Sequence, residues 1–261
     1  MPELSEAVRL LQQVGLFQGL QPRDLAEVAR AARSVEVARG SFFFRQGIRA
    51  QVFYVLQRGR VKLTQVAPEG HQILLRFIGP GQIFGPTAAL EGRLYPVSAQ
   101  AACSCQALAW EGKTMIRLME SYPRIALNAL DELSANIEEL RERYRQLATE
   151  RVERRVAHAL LRLAEQAGWK KEEAVAIDMP VSRRDLAEMT GTTLYTVSRI
   201  LSRWQRTGLV DTGRQRVAIL RAQCVRAIAG ELLQTPASSA ASNRPARTSR
   251  SRGSASSPRP R

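Results

Sequence analysis

A long stretch without glycine or proline constrains the fold of this chain more than any other feature. After Pro123, the next glycine or proline is Gly168. Such a run predicts a long helix with at most one break. Apolar residues recur along it at alternating steps of three and four, the a/d pattern of a short coiled coil: Leu130, Leu133, Ile137, Leu140, Tyr144 and Leu147. We predict dimerisation through this stripe; packing against the chain's own preceding domain is the alternative.

The part of the chain before this helix has a strand-like pattern. Two short helical patterns, over 3–14 and 22–33, lead in. From Val35 onward, β-rich residues alternate in polarity between glycines, as in "FYVLQRGRVKL", "HQILLRFIGPGQIFG" and "VSAQAACSCQALAW". Short strands at such regular spacing are typical of an antiparallel sandwich or roll. We therefore predict a jelly-roll-like antiparallel β-roll.

The segment after the long helix has the pattern of a helix-turn-helix. Ser182 and Asp185 form an acidic variant of a capping box, and Gly191 supplies a tight turn. A second helix, capped by Thr192 or Thr193, is followed by two short strands around "DTGRQR". This order predicts a winged helix-turn-helix. The predicted fold class is α+β.

The charge of the chain is strongly basic towards its C-terminal end. The net charge is +15, and the last 27 residues, 235–261, hold six arginines and no acid. Clustered arginine indicates a partner that carries phosphates, such as a nucleic acid. An anionic membrane surface would also attract it, and a basic composition that serves only solubility is the other alternative. The tail contains no large apolar residue, so we expect it to be disordered and to add non-specific phosphate contacts.

The second helix of the helix-turn-helix would present one polar face to a nucleic-acid groove. Tyr195, Ser198 and Arg199 lie at positions i, i+3 and i+4, so they share that face. Arg199 could donate two hydrogen bonds to guanine. Residues suited to phosphate contacts surround it: Arg183, Arg184, Thr193, Thr196, Arg203 and Arg206, with Arg214 and Arg216 on the wing.

Several function classes find no support in the sequence. The N-terminus is too interrupted by charge for a signal peptide or a membrane span, so we expect a cytoplasmic protein without membrane partners. The three cysteines lack metal-ligand spacing, and Cys103 and Cys105 are expected to be buried rather than a redox pair. No nucleophile-and-base motif occurs. We predict neither a metal site nor an enzyme.

Three motifs together resemble the CRP/FNR family of bacterial transcription regulators: "GPGQIFG", "LATERVERRVAHALLRLA" and "TGTTLYTVSRILSRWQRTGLV". The resemblance covers about 15–230. It implies an effector-sensing domain over 1–120, a dimerisation helix over 121–150 and a DNA-binding domain over 151–234, before the tail. It also implies a homodimer on a palindromic operator in double-stranded DNA, with RNA polymerase as a partner.

Carried over by position, the resemblance assigns base reading to Leu194, Tyr195, Ser198 and Arg199, and phosphate contacts to Arg183, Thr193 and Thr196. Ser198 and Arg199 match the FNR-type pattern. Many members carry a glutamate where this chain has Tyr195, whose ring would instead contact a thymine methyl. This substitution leaves the half-site sequence open, whereas we expect the same dimeric binding mode.

The resemblance also locates an effector pocket, at Gly85, Pro86, Thr87, Val97 and Ser98. Members that bind cyclic nucleotides hold the ribose with a glutamate and the phosphate with an arginine. The matching positions here are Pro86 and Val97, neither of which can bind an anion. The sequence therefore argues against cyclic AMP.

The residues also bear on the other cofactors of the family. No cysteine precedes Cys103, which argues against an FNR-type iron–sulfur cluster. His71 and His158 keep haem-based gas sensing open as an alternative. The effector expected is thus an unidentified small-molecule, redox or gas signal. A sequence-indifferent, basic architectural DNA-binding protein is the alternative from a different class.

Overall fold

The computed structural model describes residues 2–85, 93–171, 174–177, 180–213 and 216–230. The predicted tail over 235–261 lies outside this part of the chain. The helices are α1 (Pro2–Gln13), α2 (Pro22–Arg30), α3 (Gly112–Ser121), α4 (Pro123–Thr149), α5 (Val152–Ala167), α6 (Arg183–Thr190), α7 (Leu194–Arg206) and α8 (Ala222–Ala229).

The strands form three antiparallel sheets of four. They are β1 (Arg33–Val37), β2 (Phe42–Phe44), β3 (Val52–Arg58), β4 (Val61–Val66), β5 (Gln72–Ile78), β6 (Ile83–Phe84), β7 (Ser98–Ala101), β8 (Cys105–Glu111), β9 (Gly168–Lys171), β10 (Ala174–Ile177), β11 (Val210–Gly213) and β12 (Arg216–Ile219). The first two sheets have the orders β1-β8-β3-β6 and β2-β7-β4-β5. They form the N-terminal β-roll, and the α+β fold class is confirmed.

The third sheet, of order β11-β12-β10-β9, extends the expected wing. The hairpin of β11 and β12 around "DTGRQR" is confirmed. Strands β9 and β10 were not predicted from the sequence. Each has only four residues, too few for a strand period to stand out from its surroundings.

The core of the β-roll also holds the N-terminal helices. Trp110 on β8 is 1% exposed, and its indole Nε1 donates to the carbonyl of Val28 on α2 at 2.9 Å. Its ring stacks on Phe53 of β3 at a centroid distance of 5.1 Å. Burial of a large ring with its single donor satisfied stabilises this junction of helix and sheet.

The long helix is confirmed as α4, with 27 residues. It begins with Pro123 at its first turn, a position where proline lacks no needed hydrogen bond. Near this end it is anchored to the turn between α1 and α2, because the Asn128 side-chain amide donates to the carbonyls of Leu16 and Gln18 at 3.0 and 2.9 Å. The single expected break lies between Thr149 and Val152, where α5 begins.

A second core belongs to the C-terminal domain. Leu160, Leu201 and Val225, from α5, α7 and α8, are fully buried in it. Two residues of β5, Leu74 and Phe77, are each 1% exposed and pack in the same cluster. The β-roll is therefore docked against the C-terminal domain through β5.

Candidate nucleic-acid interface

The first helix of the helix-turn-helix, α6, begins with a complete capping box. The Ser182 hydroxyl accepts from the Asp185 N–H at 3.1 Å, and the Asp185 carboxylate accepts from the Ser182 N–H at 2.8 Å. Gly191 ends the helix with φ 59° and ψ 46°, a left-handed conformation that favours glycine. Capping at both ends sets where α6 stops and how the chain turns towards α7.

The second helix, α7, is held by its cap and by its buried stripe. Of the two predicted caps it is Thr193 whose side chain accepts, from the Thr196 N–H at 3.2 Å. Trp204 is 2% exposed, and its indole N–H donates to Glu153 of α5 at 2.9 Å. The remaining stripe consists of Val197, Ile200 and Leu201. Burial of this side leaves the opposite side of α7 facing outward.

The outward side of α7 carries the predicted base-reading residues. Leu194 is 48% exposed and Tyr195 is 75% exposed. Arg199 is exposed and Ser198 is half-buried beside it. These four side chains lie within the first two turns, the end of a recognition helix that approaches base edges. The structure thus brings them together on one accessible surface.

The predicted phosphate-contacting residues are less uniform. Arg183 donates to the Thr212 hydroxyl at 3.4 Å, and Arg216 pairs with Asp211 at 3.4 Å, both at the wing. Arg203 forms an ion pair with Glu153 of α5. Arg184 is exposed, the hydroxyls of Thr193 and Thr196 lie 3.0 Å apart, and Arg214 lies outside the described residues. The sequence predicted a phosphate contact for Arg203, whereas in the structure its guanidinium is paired within its own domain.

Two family models match the chain in succession. A cyclic nucleotide-binding domain matches residues 34–122, and a Crp-like helix-turn-helix domain matches residues 154–228. The chain belongs to the CRP/FNR family of transcription regulators. Its helix-turn-helix is accordingly a DNA-binding domain, and the family and its relatives are regulators rather than enzymes.

Known relatives can be aligned with this CRP/FNR regulator over most of its length. It is 24% identical to a CRP-like cAMP-activated global transcriptional regulator of Mycobacterium tuberculosis, over 80% of this chain and 94% of that protein. It is 29% identical to the transcriptional regulator LdrP of Thermus thermophilus, over 76% and 97%. A solved CRP-family regulator from Thermus thermophilus is 28% identical with a TM-score of 0.64, over 77% of this chain and 98% of that chain.

The predicted dimerisation stripe is exposed along α4. Its six residues are between 44% and 74% exposed, Tyr144 the most. Within the protomer the stripe is not buried against the roll, although Leu130 and Leu133 also line a cavity between α4 and the roll. Leu127, which was not part of the predicted stripe, is 54% exposed and extends the surface by one turn. Leu127 lies three positions before Leu130, and this spacing could have identified it from the sequence.

The residues predicted to bind an effector are only partly brought together. Gly85 lines a cavity between the roll and α4, whereas Val97 and Ser98 are not among the residues that line it. Val97 packs against the roll core, and the Ser98 hydroxyl accepts from the Gln46 N–H at 2.9 Å. Pro86 and Thr87 lie outside the described residues. The cavity itself is lined from seven separate parts of the fold, so it could not be found by sequence spacing.

The DNA-binding domain has a further contact with the roll. Lys62 Nζ on β4 lies 2.6 Å from Asp185 Oδ1, and the two side chains are 22% and 8% exposed. A groove beside it is lined by His71 of the β4–β5 hairpin and by Arg184 and Leu194. Two predicted DNA contacts therefore border the roll. The sequence carried no signal for this contact, because its residues are 123 positions apart.

The candidate redox and haem residues take ordinary positions. Cys105 is 3% exposed, and its thiol donates to the carbonyls of Arg60 and Cys103 at 3.2 Å each. Burial raises the pKa of the Cys105 thiol to about 11. His71 is exposed on its hairpin, and His158 Nε2 lies 3.3 Å from Glu150. None of the described helices is long and apolar enough to cross a membrane.

Proposed function

We propose that this regulator binds a palindromic operator as a homodimer, with the α7 helices of the two protomers in successive major grooves. The observation that carries the proposal is the exposed cluster of Leu194, Tyr195, Ser198 and Arg199 at the capped start of α7. A helix fixed by caps and by a buried stripe presents these side chains in a defined orientation. That orientation is what hydrogen bonding to base edges requires.

The exposed stripe of α4 supports the homodimer. Six apolar side chains at heptad spacing form a surface that a second, symmetry-related copy would cover. Acidic and basic residues flank the stripe, including the Arg145–Glu142 pair at 2.5 Å, so the partner is expected to be a helix with the same pattern of charge. RNA polymerase is the downstream partner in this proposal, on the strength of the family alone.

In the same proposal the effector is a small molecule, a redox signal or a gas, and it is not cyclic AMP held in the usual manner. Val97 stands where the phosphate-binding arginine is expected, and it packs against the apolar core of the roll. An anion placed beside this half-buried aliphatic side chain would lose part of its hydration without gaining a partner.

Selection of binding sites from random duplex DNA by the purified full chain, at two salt concentrations, tests the proposal. We expect an inverted repeat whose half-sites lie one helical turn, about 34 Å, apart. The variant Arg199→Ala should change the recovered bases, whereas Arg184→Ala should weaken binding to all sequences alike. Uniform binding that depends steeply on salt, with no recovered motif, would favour the architectural alternative instead.

A further inference from the structure

The cavity between the β-roll and α4 has the dimensions of a ligand site. Its volume is about 320 Å³, near the lower end of the range found for small-molecule pockets, roughly 300–1,000 Å³. Side chains from both the roll and the helices line it, and most of them are apolar. The apolar side chains include Phe53, Phe84, Met115, Met119, Leu130 and Leu133. The occupant that fits such walls has a compact apolar body.

Arg76 is the cationic group in the lining of this cavity. Its Nη1 donates to the Asn136 side-chain oxygen at 2.7 Å, and Glu139 lies at 4.0 Å, the limit of an ion pair. Its Nε is buried, and no acceptor within the described ranges bonds to it. Burial lowers the pKa of Arg76, yet a guanidinium stays charged in proteins. A charged donor is therefore available at the wall of an apolar cavity.

The acid in the same lining, Glu132, is occupied elsewhere. Its carboxylate accepts a hydrogen bond from the backbone of Leu16. Its Oε1 lies 2.9 Å from where a Cβ on Gly15 would stand, which places the carboxylate against that turn. Burial raises the pKa of Glu132. Glu132 thus serves the turn before α2. Glu132 and Glu139 both interact electrostatically with Arg76, but neither carboxylate accepts a hydrogen bond from its Nε, which leaves that N–H for an anionic group.

We propose that this cavity binds a compact amphiphile, an apolar body ending in one carboxylate, with the carboxylate held by Arg76. The proposal rests on the proposed function, since it names the chemical class of the effector. A charged donor with a free N–H in a mostly apolar enclosure favours a carboxylate at one end. A nucleotide fits poorly, because its ribose hydroxyls and ring nitrogens would be buried against hydrocarbon without partners.

The position of the cavity connects it to the dimerisation stripe. Leu130 and Leu133 line the cavity and are also 60% and 44% exposed on the stripe. A ligand that fills the cavity contacts the same side chains that a partner helix would cover. Occupancy therefore changes the packing of α4 against the roll, which is a physical route from ligand to the spacing of the two DNA-reading helices.

Calorimetric titration of the full chain tests the assignment, with decanoate, decan-1-ol and cyclic AMP as probes below any micelle concentration. We expect one decanoate per protomer, and decan-1-ol weaker by about 10- to 100-fold, because it lacks the charged acceptor. Arg76→Gln should remove that difference. Arg58→Gln, on β3 of the same roll but 70% exposed, is the matched control and should leave decanoate binding unchanged.

A second variant keeps the test independent of any folding defect at Arg76. Ala129→Met adds a flexible apolar side chain at the cavity wall and retains the arginine, so it should abolish binding of both decanoate and decan-1-ol. Thermal unfolding of each variant checks that the fold is intact.

Three results would overturn the assignment: no decanoate binding by the folded parent chain, equal binding of decanoate to Arg76→Gln, or cyclic AMP binding that Ala129→Met abolishes. Site selection on random DNA is measured separately. Decanoate binding without a recovered operator would refute the proposed function alone, and a recovered operator without decanoate binding would refute the ligand class alone.

Discussion

Leu140, on the exposed stripe of α4, provides the most direct test of the homodimer. Its side chain is 64% exposed in the protomer. Full burial of a leucine side chain stabilises by about 1.5–3 kcal/mol, so covering the exposed part contributes about 1–2 kcal/mol per protomer. Twofold symmetry doubles this to about 2–4 kcal/mol for each dimer. Leu140→Ala should therefore raise the dimer dissociation constant by roughly 25- to 700-fold.

Leu140→Glu should have a larger effect, since it places two carboxylates in one apolar seam, where an unpaired charge loses its hydration. Sedimentation velocity over a dilution series measures the dissociation constant of each variant. Arg141→Ala is the matched control, because that neighbouring side chain is 74% exposed and its pair with Glu138 is a surface pair worth about 0.2–1 kcal/mol.

Thermal unfolding of the variants should change little at concentrations where the parent is monomeric, because Leu140 makes few contacts within its own protomer. If Leu140→Glu leaves the dissociation constant unaltered, the a/d stripe is not the dimer interface and the reasoning from its exposure is wrong.

Arg199, the basic tail, Thr193 and Cys105 each give a further prediction. Arg199→Ala should lower affinity for the selected operator by roughly 5- to 150-fold in fluorescence anisotropy, while non-specific binding changes little, because one bidentate base contact is worth about 1–3 kcal/mol. Deleting 235–261 should weaken binding to all DNA sequences similarly. It should also reduce the slope of log affinity against log salt concentration by about 0.9 for each phosphate that the tail neutralises. A large loss of discrimination between operator and other DNA would count against this prediction. Thr193→Ala should lower the free energy of unfolding by about 1 kcal/mol in urea titrations, since it removes the cap of α7. The pKa of the Cys105 thiol is about 11, so only about 0.1% of it is ionised at pH 8. Iodoacetamide should therefore label the exposed Cys224 first. Cys105 should react measurably only as the pH approaches about 11.

The helix-turn-helix could be predicted well because its signals are local. The capping box of Ser182 and Asp185, the left-handed turn at Gly191 and the cap at Thr193 each depend on residues within four positions of one another. Strands β9 and β10 were missed because their pairing with each other and with β12 is set by the sheet, not by their own short sequences.

Local sequence by itself determined the helices, their caps, the stripe of α4 and the outward face of α7. These features arise from interactions between residues one to four positions apart, which the order of amino acids specifies directly. Tertiary structure alone decided the Lys62–Asp185 contact, the role of Phe77 in the second core and the cavity with Arg76 at its wall. Each brings together groups far apart in the chain, and only the packing of the roll against α4 and α6 sets their distances.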